Sequence, residues 1–276
     1  MRRINEKTQG AKVVAVSDIN QEVAGRLAER IGAEFFATGE ALIQSPNIDA
    51  IVVTSWDPTH EKYVLEAIRN DKFVFCEKPL AVELEGCRRI VDAEIAKGRK
   101  LVQVGFMRRY DRGYEGLKSA IDSKEFGDVI MLHCTHRNPQ VDDSYNTPMA
   151  VENTAVHEVD VLRWLLQEDF VSAQVILPRK QTRHTHKDLH DPQIIILETA
   201  SGIHIDLEVF VNCQFGYDIN CKVVCEDGEI GLTDPSYVSV RSKGKDYTEI
   251  SPVRSTARLQ TKPLSWPVCS ALKRLL

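Results

Sequence analysis

Phe73-Val74-Phe75-Cys76-Glu77-Lys78-Pro79 is the stretch on which the reading of the fold turns. Its four apolar residues, two of them aromatic, form the short continuous run expected of a strand buried on both faces, and two charges and a proline end it. On either side the same grammar repeats. Strands are expected at 12–17, 51–54, 73–76 and 101–105, with helices over about 20–31, 60–69 and 83–97 between them. Val23, Leu27 and Ile31 form the expected apolar stripe of the first helix and Leu84, Cys87, Val91 and Ile95 that of the third, with Gly32 and Gly98 as their stops. Strands alternating with amphipathic helices predict an α/β unit, a partial doubly wound parallel sheet of Rossmann type.

Past about residue 107 the pattern changes. Longer alternating runs at 128–135, 171–177, 193–199, 202–211, 218–226 and 236–241 read as strands, with one helix over 153–166 among them. Ala200-Ser201-Gly202 and Asp227-Gly228 are turn signals between such runs. The expectation is an α+β domain with an open, largely antiparallel sheet. A length of 276 residues suits two domains at about 150 residues each. The boundaries are drawn at 1–106 and 107–252, with 253–276 as an atypical basic tail.

The bulk chemistry narrows the function classes. With 43% apolar and 27% charged residues and no apolar run of bilayer-spanning length, no membrane partner is expected. A net charge of −5 without a clustered basic face argues against nucleic acid and for a small-molecule partner. Cys76, Cys87, Cys134, Cys213, Cys221, Cys225 and Cys269 include no Cys-x-x-Cys pair and read as reduced, mostly buried thiols in a cytoplasmic protein. No metal is expected: the polar stretch 181–190, with His184, His186 and His190, reads as a solvated loop, and Cys221 and Cys225 as core thiols.

Two constellations can carry chemistry. Lys78 stands at the C-terminal end of a parallel strand, the edge where ligands bind in open α/β sheets, and an ammonium there can stabilise a developing alkoxide. Taken alone, the three residues Glu77-Lys78-Pro79 fit a surface turn equally well. The second is the segment from Glu152 to Asp160: helical spacing puts Asn153, His157, Asp160 and Trp164 on one face, and a His flanked by polar neighbours suits general acid–base work near neutral pH.

A dinucleotide-binding unit is expected to open with a strand, a Gly-x-Gly-x-x-Gly turn and a helix whose N-terminus faces the pyrophosphate. Residues 1–10 read instead as the tail of such a helix, so the domain is expected to be incomplete and its affinity for NAD poor. Asp18, after the strand at 12–17, stands where an acidic residue meets the adenosine ribose, which favours NAD over its phosphorylated form. The stretch 253–276 has five Lys or Arg and no Asp or Glu, and neither period continues through it; a truncated or altered end is expected.

The blocks Thr54-Ser55-Trp56-Asp57-Pro58-Thr59-His60-Glu61, 73–80, Leu101-Val102-Gln103-Val104-Gly105-Phe106-Met107-Arg108-Arg109-Tyr110-Asp111, 133–139 and 156–166 together resemble the inositol dehydrogenase branch of the glucose–fructose oxidoreductase and inositol dehydrogenase family, over residues 4 to about 250. The resemblance implies a Rossmann domain followed by a domain that binds substrate and serves oligomerisation, usually as a homotetramer. It implies NAD-dependent oxidation of myo-inositol or a close polyol to an inosose, a step of inositol catabolism. It places Thr54, Ser55, Trp56 and His60 along the cofactor, Glu77 and Lys78 beside the nicotinamide, and Arg108, Asn138, His157 and Tyr217 on the polyol. It makes His157 the base that takes the hydroxyl proton and Lys78 the group that polarises that oxygen.

One position departs from the pattern. The residue four before His157 is usually Asp in that branch and is Asn153 here. An amide can orient the imidazole but cannot stabilise its cation, so weakened or altered activity is expected, with Lys78 and Asp160 taking over part of the role. A non-catalytic remnant that keeps an oligomerising surface, and a dehydrogenase of another sugar, remain open on these residues.

Overall fold

The computed structural model describes residues 2–232, 237–242 and 245–250, which fall into two compact units, one up to Gly105 and one from Phe106. The expected tail from 253 lies outside the described residues.

The first unit runs α1 (Arg2–Lys7), β1 (Ala15–Val16), α2 (Gln21–Ile31), β2 (Glu34–Phe35), α3 (Gly39–Gln44), β3 (Ala50–Val53), α4 (His60–Arg69), β4 (Phe73–Cys76), α5 (Leu84–Lys97) and β5 (Val102–Val104). Local chemistry sets the helix ends. Asn20 accepts a hydrogen bond from the Val23 amide at the start of α2, and Gly32, at φ +66°, closes it in the left-handed conformation that glycine takes without strain. The strands form two parallel sheets, β1-β2 and β3-β4-β5. Ile51, Val53, Val64, Ala67, Ile68, Val74, Cys76 and Ile90 make the core beside the second sheet.

Two expected stripes are corrected. In α2 the buried residues are Ala24 and Ala28 while Val23 is exposed, and in α5 they are Gly86 and Ile90 while Leu84, Val91 and Ile95 are exposed. The buried face of α2 consists of alanines, and that of α5 joins Gly86, set against Glu61 and Ala81, to the fully buried Ile90, so a count of large apolar residues selects the wrong face. The first strand is also shorter than expected, two residues rather than six, and β2 was not expected at all.

The second unit runs α6 (Arg112–Ser123), β6 (Val129–Arg137), α7 (Val156–Leu166), β7 (Phe170–Ile176), β8 (Gln193–Thr199), β9 (His204–Phe210), β10 (Asp218–Cys225), β11 (Glu229–Gly231), β12 (Tyr237–Ser242) and β13 (Lys245–Ile250). Six strands form one sheet in the order β11-β10-β6-β9-β8-β7; β6 and β9 are parallel and every other pair in it antiparallel, while β12 and β13 pair separately. Alternation sorts the faces. Leu132 and Cys134 of β6, Ile195 and Leu197 of β8, Ile205, Leu207 and Val209 of β9, and Cys221 and Val223 of β10 point into the core with Val161, Leu162 and Leu165 of α7. The other face carries ion pairs: Arg137 with Glu208 and Asp218, and His133 with Asp206.

The helix expected over 153–166 starts differently. Residues Ala150–Ala155 form a π-helical segment, and the α-helical bonding begins at Val156. A π segment inside a helix rotates the residues on its two sides relative to one another, so Asn153 and His157 are not related by plain 3.6-residue geometry.

Candidate active site

In the first unit three strand ends set one edge. Val53 pairs with Cys76 and Cys76 with Val104, so Thr54, Glu77 and Gly105 follow side by side at the C-terminal edge of the parallel sheet. The ladder continues one step, with the Glu77 amide donating to the Val53 carbonyl (2.9 Å) and the Gly105 amide to the Cys76 carbonyl (2.8 Å). Gly105 fits closely there: a Cβ would lie 3.0 Å from Glu77 Oε2 and 3.1 Å from Phe75 Cζ, so a side chain would push those groups aside. Thr54, Ser55, Trp56 and Glu77 are exposed at this edge, Lys78 is half-buried, and the Lys78-Pro79 peptide is cis.

His60 sits beneath these loops, 1% exposed, with Nδ1 at 2.7 Å from the Pro79 carbonyl and Nε2 at 2.9 Å from the Ser55 carbonyl. It therefore ties the loop after β3 to the loop after β4. Ser55 Oγ and Thr59 Oγ1 lie 2.6 Å apart, and Thr59 Oγ1 donates to the Trp56 carbonyl, which folds the first loop on itself. Cys76, fully buried beside Glu77 and Asp57, has its thiol pushed up to about 12, first by burial and then by those two carboxylates. Asp18 belongs to the other sheet: it follows β1, and its carboxylate accepts from the Asn20 amide at 2.8 Å.

In the second unit a polar cluster lies in an otherwise apolar core. Arg108, His136, His157 and Glu158 are all at least nine-tenths buried. Glu158 Oε2 lies 2.7 Å from His136 Nδ1, and Arg108 Nη2 approaches Glu158 Oε1 at 2.6 Å, an ion contact. The His157 ring stands 6.2 Å from the His136 ring and 6.4 Å, edge to face, from Phe106. Tyr217, largely exposed, packs edge-on to His136 at 6.1 Å. Arg108 Nε, also buried, has no hydrogen-bond partner among the described residues. A donor left over in a buried cluster is what a polar ligand can satisfy.

Asn138 extends the edge of β6 two residues beyond His136; its amide donates to the Phe210 carbonyl and its carbonyl accepts from the Cys213 amide. Asp160, one turn beyond His157, is paired with an arginine. Both its oxygens accept from Arg109, at 2.8 Å from Nε and 2.5 Å from Nη2, so its charge is committed to that guanidinium, whose own value is raised chiefly by this hydrogen bond. His136 and Glu158 were missed. The available signal was a polar residue in an inward register, His136 after Leu132 and Cys134 on β6, and Glu158 one residue after His157 on α7. Among the described residues no group of His, Cys, Asp or Glu could hold a metal, and no helix is long and apolar enough to cross a membrane.

Residues 1–106 match a family model described as an oxidoreductase family with an NAD-binding Rossmann fold, and residues 114–231 match a GFO/IDH/MocA C-terminal domain. The chain belongs to the GFO/IDH/MocA oxidoreductase family. Among its relatives in that family, an inositol 2-dehydrogenase of Pseudomonas savastanoi pv. phaseolicola is 57% identical over 247 residues, 89% of this chain and 73% of the relative. An inositol 2-dehydrogenase of Agrobacterium fabrum is 57% identical over 242 residues, covering 87% and 71%. The crystal structure of myo-inositol dehydrogenase from Lactobacillus casei in complex with NAD(H) and myo-inositol is similar at 39% identity and a TM-score of 0.81, covering 90% of this chain and 74% of that one. The residues of the parallel-sheet edge fit a nicotinamide cofactor: Thr54, Ser55, Trp56 and Glu77 are exposed there, at the strand ends where such sheets bind ligands.

Proposed function

We propose that this protein oxidises myo-inositol, or a close polyol, to an inosose, with NAD as the hydride acceptor. The observation that carries the reading is the buried meeting of Arg108, His136 and His157 in a chain of this family: two imidazoles and a guanidinium beside a half-open tyrosine offer a polyhydroxy ring donors, an acceptor and a base. When bound, NAD supplies the acceptor for the hydride. Residues 1–106 form the NAD-binding domain and 107–252 the substrate-binding domain.

In this reading Asp18 meets the adenosine ribose, Thr54, Ser55, Trp56 and Glu77 line the cofactor, and His60 contributes by holding their loops. Lys78 polarises the hydroxyl oxygen and His157 takes its proton, with Asn153 orienting the imidazole. Arg108, Asn138 and Tyr217 hold the remaining hydroxyls. We further propose a homotetramer assembled through the open face of the six-stranded sheet, and a cytoplasmic place in inositol catabolism. The purified chain with saturating NAD and a panel of inositols, sugars and linear polyols tests the activity. NADH production with myo-inositol that is lost in Lys78→Ala is expected; turnover of another sugar with none of inositol would overturn the substrate assignment. Sedimentation equilibrium tests the tetramer.

A further inference from the structure

We propose that Glu158 is a positioning residue, which fixes the proton of His136 on Nδ1 and thereby leaves Nε2 as the acceptor of that ring. This rests on the polyol-oxidation reading above for its consequence in turnover, but not for its geometry.

Donor and acceptor chemistry decides where the His136 proton sits. His136 Nδ1 lies 2.7 Å from Glu158 Oε2 and 3.2 Å from Arg108 Nη2. A guanidinium has only donors and a carboxylate only acceptors. Were Nδ1 unprotonated, its lone pair would face the carboxylate lone pairs at the shorter distance, and the longer contact to Arg108 would be its one compensation. With Nδ1 protonated, Glu158 accepts from His136 through Oε2 and meets Arg108 through Oε1 at 2.6 Å. Oε1 then faces the guanidinium and Oε2 accepts the neutral ring's N–H, and the 3.2 Å approach is two donors flanking one carboxylate.

The cluster is closed to water, since Glu158 is 1%, His136 3% and Arg108 5% exposed. No solvent dipole can therefore replace the carboxylate, and the tautomer is set by the protein alone. Position explains why this matters. Glu158 is the residue next to His157 on α7, and His136 is the ring that stands 6.2 Å from His157 and 6.1 Å from Tyr217. Glu158 touches none of the reacting atoms in this scheme; it acts through His136 and Arg108.

The test exploits the inequality of Gln and Glu. In Glu158→Gln one acceptor oxygen faces two donors. Arg108 cannot shed its proton, so it keeps the oxygen, and the amide NH2 turns to His136, which must then accept through Nδ1 and carry its proton on Nε2. Two-bond 1H–15N NMR of the full chain with 15N-labelled histidine reads this directly. Expected is Nδ1–H for His136 in the wild type and Nε2–H in the folded variant. Polyol kcat/KM should fall roughly 10- to 100-fold, as for loss of a charge-assisted hydrogen bond, with the KM for NAD unchanged.

Should Glu158→Gln not fold, the double variant Glu158→Gln, Arg108→Met frees the amide oxygen for His136 and is expected to show Nδ1–H. The wild-type spectrum decides by itself in one direction: Nε2–H on His136 overturns the proposal. So does a folded Glu158→Gln whose tautomer inverts without any loss in polyol kcat/KM. If the wild type oxidises no inositol, the functional reading fails, while the tautomer inversion still decides what Glu158 does to His136.

Discussion

Asp160→Asn isolates the contact that anchors the segment bearing Arg108. The carboxylate accepts two hydrogen bonds from Arg109, and side-chain exposure is 9% for Asp160 and 34% for Arg109. Breaking a fully buried ion pair costs about 3–5 kcal/mol because a charge is left without a partner or water. Here the guanidinium is one-third open and can rehydrate, so about 1–3 kcal/mol is the expected loss. For a unit of this size that is a Tm lower by about 3–8 °C. Urea unfolding of the wild type, Asp160→Asn, Arg109→Met and the double variant should give a coupling energy of about 1 kcal/mol or more, since the two side chains share no other partner of comparable strength. The turn at Met107–Tyr110 holds Arg108 as well as Arg109. Polyol KM should therefore rise in Asp160→Asn while the KM for NAD stays constant. A single variant within about 0.5 kcal/mol of wild type, or a cycle whose effects simply add, would refute the bidentate anchor.

Three further outcomes follow from the first unit. His60→Ala leaves the Pro79 and Ser55 carbonyls without their shared partner, so a loss of about 2–4 kcal/mol and weaker NADH binding in a fluorescence titration are expected; unchanged affinity would show that the loops hold without it. Cys76, with its thiol raised to about 12 and its side chain fully buried, should stay unalkylated by iodoacetamide at pH 8 in the native protein, as read by peptide mass spectrometry, whereas denatured protein should react fully. Glu66 is held below its ordinary value of 4.5, first by Gln44 and then by Arg69, and Glu61 likewise by Arg89. Their folded values lie below the unfolded ones, so their contribution is complete above the unfolded value and is lost as pH falls through the folded value. Tm should decline as pH drops below about 4.5, and less steeply in Glu66→Gln; an identical acid profile for that variant would contradict the assignment.

What was legible in the sequence had strong local causes. The run 73–76 ends in charge and proline and is a strand; Gly32 and Gly98 stop their helices at positive φ; alternation in 193–199 and 218–225 sorts core from surface. What failed depended on partners distant in the chain. The inward face of α2 is made of Ala24 and Ala28, and that of α5 of Gly86 and Ile90, neither of which a stripe of large apolar residues reveals. The parallel pairing of β6 with β9 inside an otherwise antiparallel sheet follows from chain crossover, not from either strand's composition. In the candidate site, His157 was visible from helical spacing and resemblance, but the partner of Arg108 was not. Arg108 and Glu158 are 50 residues apart, and only the fold shows that their charges meet, or that Asp160 is claimed by Arg109.

The central claim is hydride transfer from an inositol ring carbon to NAD. Myo-inositol deuterated at the ring carbon that is oxidised, incubated with the purified chain and saturating NAD, tests it in one mass spectrum of the nucleotide product. The account predicts reduced cofactor carrying one deuterium, formed at a lower rate than with unlabelled inositol, together with an inosose in equal amount. Reduced cofactor without deuterium, or an inositol pool that remains unoxidised while another labelled polyol delivers its deuterium, would contradict it.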